Sequence, residues 1–136
     1  MHLIQSFWGI NWLAVAVSVV LSFALGALWH SVLFNKAWSE DSGSKYGNGN
    51  HGNPAVIFGL SGLLHIVLVI GLAMFVGQHT NFLGGALKGL FISLVWISTS
   101  IGVTYIFVGR SFRLFLIDAG FYVVFLSLAG MILGAW

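Results

Sequence analysis

Four long apolar runs take up most of this chain: Asn11 to Phe34, Pro54 to Gly77, Phe82 to Val108 and Phe112 to Ala135. Each is long enough for a helix to cross a hydrocarbon core, which takes about 20 residues for about 30 Å. Strands of a membrane barrel would alternate apolar and polar side chains over about ten residues, whereas these runs are continuously apolar. Charged residues make up only 6% of the chain, five Lys/Arg and three Asp/Glu, against roughly a quarter in an average soluble domain. A small soluble globule could not cover its surface with so few. The sequence therefore predicts an all-α polytopic membrane protein, with a single transmembrane domain over 1–136. Its helices, about 11–34, 54–77, 82–108 and 112–135, form an up-and-down antiparallel four-helix bundle in the lipid bilayer.

The breaks between the runs have local causes. Asn35 to Asn53 is rich in Gly, Asn and Ser, contains Lys36, Glu40, Asp41 and Lys45, and ends at Asn53-Pro54, where Pro suits the first turn of a helix. It is expected to be a polar cytoplasmic loop, 35–53, and its Gly-Asn run is the natural place for a mobile or partner-contacting segment. Gln78 to Asn81 and Gly109 to Ser111 are short, so the helices they join should be antiparallel neighbours. The first run is too long for a signal peptide and no Lys or Arg precedes it, so a retained helix is expected. Trp8, Trp12, Trp38 and Trp136 fall at the span ends, where indole rings favour the headgroup zone. Lys36, Lys45, Arg110 and Arg113 lie on one side and only Lys88 lies toward the other. That bias makes Lys36, Arg110 and Arg113 cytoplasmic anchors and both termini non-cytoplasmic. Flanking spans in this way, the basic residues point to lipid headgroups and not to nucleic acid.

Small residues mark where helices approach closely in lipid. On a helical wheel, Gly85, Gly89, Ser93, Trp96, Ser100 and Thr104 fall within an arc of about 100°. Ala14, Ser18, Ser22, Gly26 and His30 recur every four residues, as do Tyr122, Leu126, Gly130 and Gly134. Gly26, Gly85, Gly89, Gly130 and Gly134 are the expected helix-packing positions. Several such faces on four helices exceed what one bundle consumes, which favours a homo-oligomer or a subunit of a larger membrane complex. A pore lined by the small face of the third span is the alternative.

Ionisable groups inside spans are costly and mark function by default. Asp118 stands six residues into the fourth run, roughly 9 Å deep. Arg113 is badly placed round the same helix to pair with it, so its partner should come from another helix. The expected intramembrane polar cluster comprises Asp118, His65, His30, Ser61, Ser100, Thr104 and Tyr122. Such a cluster can relay protons, hold a cation or headgroup, or fix the bundle's register. Lys88 is expected to snorkel to the opposite interface. No Cys is present and no two His are three or four residues apart, so neither a metal site nor a cofactor is expected. Gly59 to Leu63 and Gly84 to Gly89 lack the spacing of a nucleophile elbow and a phosphate loop.

Four segments carry a resemblance: Ile10-Asn11-Trp12-Leu13-Ala14-Val15, Leu25 to Ser31, Phe34-Asn35-Lys36-Ala37-Trp38, and above all Tyr105 to Tyr122 with its Gly109-Arg110-Ser111 turn. With the closing Gly134-Ala135-Trp136, they resemble the bacterial family catalogued as domain of unknown function 1761. The resemblance implies a small four-helix integral protein of a bacterial cytoplasmic (inner) membrane, with no established activity. The chain departs from the family pattern at His30, Val32 and Asp118, where Tyr, Pro and Asn are familiar.

Two functions follow as expectations. The first is an oligomeric membrane-embedded structural or accessory protein. The second is a small channel or transporter for protons, ions or a small solute, working through the Asp/His cluster. An enzyme is not expected, because no nucleophile–base pair or acid pair is visible.

Overall fold

The computed structural model describes Gln5, residues 7–42 and residues 53–136. His2, Lys45, His51 and the Gly-Asn run, and with them the expected mobile or partner-contacting segment, lie outside the described residues. Four helices are long and apolar enough to cross a membrane: α1 (Trp12–Leu33), α3 (Pro54–Val76), α4 (Phe82–Val108) and α5 (Phe112–Ala135). Between α1 and α3 lies a short helix, α2 (Asn35–Ser42).

Each span begins on a residue able to cap it. Asn11 accepts from the N–H groups of Leu13 and Ala14, Asn53 from Ala55, Asn81 from Gly84, and Ser111 from Leu114. Pro54 follows Asn53 in the first turn, where its missing N–H costs nothing. The stops are just as local. Gly109 ends α4 in the left-handed conformation at φ +83°, which suits a residue without Cβ. Lys88 does not merely snorkel, because its Nζ donates to the Val76 carbonyl at 2.9 Å, capping the last turn of α3 with a cation.

The expected polar loop 35–53 needs correction at its start. Residues 35–42 are helical, and side chains from the turn between α4 and α5 and from the start of α5 hold them in place. Arg113 donates through Nε and Nη2 to both Asp41 oxygens at 2.7 Å, and Nη2 also reaches Glu40 at 3.3 Å. Ser111 donates to Asp41 at 2.8 Å, and Arg110 to the Ser42 carbonyl at 2.8 Å. Arg110 and Arg113, expected as headgroup anchors, thus clamp α2 to the start of α5. Lys36 remains exposed. The Arg113 hydrogen bonds, with that from Ser111, hold the Asp41 carboxyl down at about 2.

α5 packs on all four other helices, and most extensively on α4. One half of the bundle is closed. There a Cβ on Gly85 would overlap the Gly130 carbonyl and one on Gly89 the Leu126 carbonyl; on Gly130 it would meet the Gly85 carbonyl, and on Gly134 that of Asn81. These four glycines bring α4 and α5 backbone to backbone, the close approach that small residues permit in lipid. Val15, Val69, Leu72, Val76, Phe125, Leu126 and Ala129 fill the core beside them. Ala14, Ser18 and Ser22 are buried in the same bundle, and a Cβ on Gly26 would lie 3.7 Å from the Phe121 ring. The small-residue faces at Ala14 to Gly26, Gly85 to Ser93 and Leu126 to Gly134 are therefore occupied within one chain, whereas Trp96, Ser100 and Thr104 are exposed. The other half is splayed: every residue from Asn53 to Leu60 is exposed, as are Val103, Thr104 and Ile106 to Val108 on α4.

Candidate functional site

The splayed half contains an open cavity of about 890 Å³, lined by residues of α1, α2, α3, α4 and α5. Two departures from ordinary α-helix border it. Residues Ala27–Leu33 of α1 and Ser93–Ile97 of α4 are π-helical, each such turn admitting an extra residue and often marking a functional site. In α1 the π segment lets Trp29 donate to the Ile117 carbonyl at 2.8 Å, pinning the helix to α5. It also turns His30 toward Asp118.

Asp118 is held from three other helices. His30 Nε2 of α1 lies 3.5 Å from Oδ1. Trp38 Nε1 of α2 donates to Oδ1 at 3.1 Å, and the Tyr105 hydroxyl of α4 donates to Oδ2. The partner does come from other helices, as Arg113's position required, and Arg113 itself is engaged with α2. Contacts from three helices fix both the carboxyl group and the helix ends that carry its partners. Trp38, expected as an interface anchor, instead turns inward against the His30 ring, centroids 5.2 Å apart. Trp8, Trp12 and Trp136 are exposed at the span ends.

The other members of the expected cluster divide. His30, Ser61, His65, Ser100, Asp118 and Tyr122 line the one cavity, and Thr104 does not. The Ser100 hydroxyl is engaged by the Trp96 carbonyl, and Thr104 Oγ1 donates to the Ser100 carbonyl at 3.1 Å, both exposed. The wheel assigned positions 100 and 104 to the inner face because it assumed an unbroken helix. The extra residue in the π segment rotates the remainder of α4 by about one position, so Ile101 and Tyr105 turn inward, Thr104 turns out and Ser100 is left exposed on the cavity wall. Tyr105, which the wheel missed, has a sequence signal: it stands on the helix that the short Gly109 turn joins to the helix of Asp118.

His65 sits between the Phe23 and Phe125 rings at 5.7 and 5.9 Å. Its Nδ1 lies 2.8 Å from the Ser61 carbonyl, which can only accept, so Nδ1 carries the hydrogen. Nε2 is buried without a hydrogen-bond partner. Among the described residues, no three His, Cys, Asp or Glu side chains converge on a point that could hold a metal.

Residues 13–134 match the model of the family described as protein of unknown function (DUF1761). The chain belongs to this family. No curated protein and no solved structure matches it. For this DUF1761 protein, the geometry of the cavity therefore carries the functional reading.

Proposed function

We propose that this DUF1761 protein is a small transporter, moving a proton, ion or small solute by way of the Asp118 cavity. One observation carries the reading: a carboxylate stands in the wall of a cavity of about 890 Å³ within the membrane-spanning half of the bundle. A polar group that served only to fix helix register would sit in a dry, filled interface, since unoccupied space beside it forfeits packing contacts. A site that takes a solute needs room and a polar anchor, and this volume falls within the usual range for small-molecule sites. The closed glycine half supports access from one side at a time. The bias of Lys36, Arg110 and Arg113 supports an orientation with the cavity toward the cytoplasm and both termini on the far side, in a bacterial inner membrane.

The test is flux into proteoliposomes containing a trapped pH dye, with a potassium–valinomycin potential applied across a range of pH. Protein-dependent proton movement, lost in Asp118→Asn, is the expected result. Wild-type vesicles no leakier than empty ones, both to protons and in the uptake of small cations and neutral solutes, refute the reading.

A structural or accessory role, as a homo-oligomer or a subunit of a larger membrane complex, retains one supporting observation. Trp96 lies in the middle of α4, far from any headgroup, yet 53% of it is exposed, against Phe75 and Phe91. A partner subunit would cover it. Light-scattering mass in detergent decides: a mass of one chain with no co-purifying subunit removes this reading.

A further inference from the structure

The chemistry of the cavity narrows its ligand. Among the described residues, Asp118 is the sole Asp, Glu, Lys or Arg side chain that lines it. The basic residues nearest in sequence are engaged elsewhere, Arg113 by Asp41 and Glu40 and Arg110 by the Ser42 carbonyl. Among the described residues, an anion would therefore find no Lys or Arg side chain to meet it. His65 lines the cavity, but its Nε2 is buried away from it. The remaining wall is mostly apolar, interrupted by serines, and rich in aromatic rings, including Phe23, Phe58, Trp96, Trp38, Tyr105 and Tyr122. Aromatic faces attract cations and attract them more strongly where water is scarce. A carboxylate and aromatic walls select a positive charge, and the largely apolar remainder selects an apolar body.

The same geometry counts protons. His30 Nδ1 lies 3.1 Å from the Gly26 carbonyl, an acceptor, so Nδ1 carries a hydrogen. If Nε2 were also bare, its lone pair would face Asp118 Oδ1 at 3.5 Å, two acceptors opposed with nothing between them. One proton therefore belongs to the pair, on the imidazole or on the carboxyl. The other groups facing Asp118 are the indole of Trp38, the phenol of Tyr105 and, on its own helix, Tyr122, with His65 across the cavity. Neither the indole nor the phenols give up a proton readily at neutral pH. A cation that settles against the carboxylate replaces the charge of that shared proton.

We propose that the cavity takes a lipophilic organic cation, an amine or onium group on an apolar body, and that its binding expels the proton shared by His30 and Asp118. The exchange balances: one cation enters, one proton leaves, and the net charge of the site is unchanged. This names the substrate class of the transport reading and rests on that reading.

The test uses the full chain in maltoside micelles, with tetraphenylphosphonium as the probe and tetraphenylborate, an anion of the same shape, as its counterpart. Binding is followed by tryptophan fluorescence and calorimetry against protein-free micelles. Proton release is read as a pH change in weakly buffered solution. The phosphonium should bind at least about tenfold more tightly than the borate, with close to one proton released per cation. Its apparent affinity should rise about tenfold per pH unit while the pair still holds its proton. Asp118→Asn should lose about tenfold or more. Equal binding of the two ions, or phosphonium binding that releases no proton and ignores pH, overturns the proposal, and both are read on the wild-type chain without any variant. Asp118-dependent proton flux in vesicles without phosphonium binding overturns the cation assignment and leaves the transport reading standing. Phosphonium binding with proton release in a chain that carries no flux leaves the site and removes transport.

Discussion

Replacing Gly130 with Ala tests how the closed half is held. The new Cβ would overlap the Gly85 carbonyl, a backbone group already fixed in α4, so no side-chain rotation can relieve the clash. Ordinary van der Waals contact needs about 3.4 Å or more, and restoring it separates α4 and α5 by more than 1 Å along a ladder that includes Gly89 and Gly134. Overpacking of this kind costs about 1–3 kcal/mol. Gly85→Ala meets the Gly130 carbonyl from the other side and forces the same separation. The double variant should therefore lose clearly less than the sum of the two singles, a coupling of about 0.5–3 kcal/mol. Gly71→Ala is the internal control. Nothing lies within 4 Å of the added methyl group, and Ala in a helix interior is favoured over Gly by about 0.5–1 kcal/mol. Reversible unfolding in mixed detergent micelles, followed by circular dichroism, supplies the free energies. A Gly130→Ala chain as stable as wild type, or singles that add without coupling, would refute the backbone-to-backbone packing of α4 on α5.

Three other outcomes follow from the site and its clamp. Tyr105→Phe keeps the ring and removes a donor to a charged acceptor, so the same unfolding measurement should show a loss of about 1.5–3 kcal/mol; no loss would mean that Tyr105 does not hold Asp118. Trp38→Phe keeps an aromatic ring against His30 but removes the indole N–H, and should free α2, read as faster proteolysis within residues 35–42 with the spans intact. An unchanged cleavage rate counts against the Trp38–Asp118 bond. Asp41, held down at about 2 from an ordinary 3.8, favours the clamped state above pH 3.8 and loses that contribution as pH falls toward 2. Cleavage by pepsin within 35–42 should thus accelerate only across that acid window. Acceleration already at pH 5 would show that another group controls the clamp.

The spans were legible because their physics is local. A run of apolar residues between Asn or Ser caps and Gly stops carries its boundaries with it, and the lipid-facing surface imposes no finer pattern. The glycine packing of α4 on α5 was legible for the same reason, since a missing Cβ is a property of the residue itself. Asp118 stood out by cost, and the need for a partner on another helix followed from the angle to Arg113. Tyr105 and Trp38 escaped because their positions depend on what the chain does elsewhere. Tyr105 reaches Asp118 only after the π segment shifts the phase of α4, and nothing in Ser93-Leu94-Val95-Trp96-Ile97 announces that extra residue. Trp38 reaches it only because α2 is helical, and α2 is held there by Arg113 and Ser111, more than 70 residues further along the chain. Composition alone made that stretch resemble a loop.

α5 touches every other helix, and it follows them all in the order of synthesis. The earlier helices must therefore wait in the bilayer without the surface they are shaped to meet, and Asp118 is threaded into the membrane before its donors have closed round it. Assembly of the bundle is for that reason a late event, in which docking of one helix completes the packed half and the carboxylate site together. A fragment ending before residue 112 should leave three inserted helices that fail to cohere, and supplying α5 as a separate peptide should gather them.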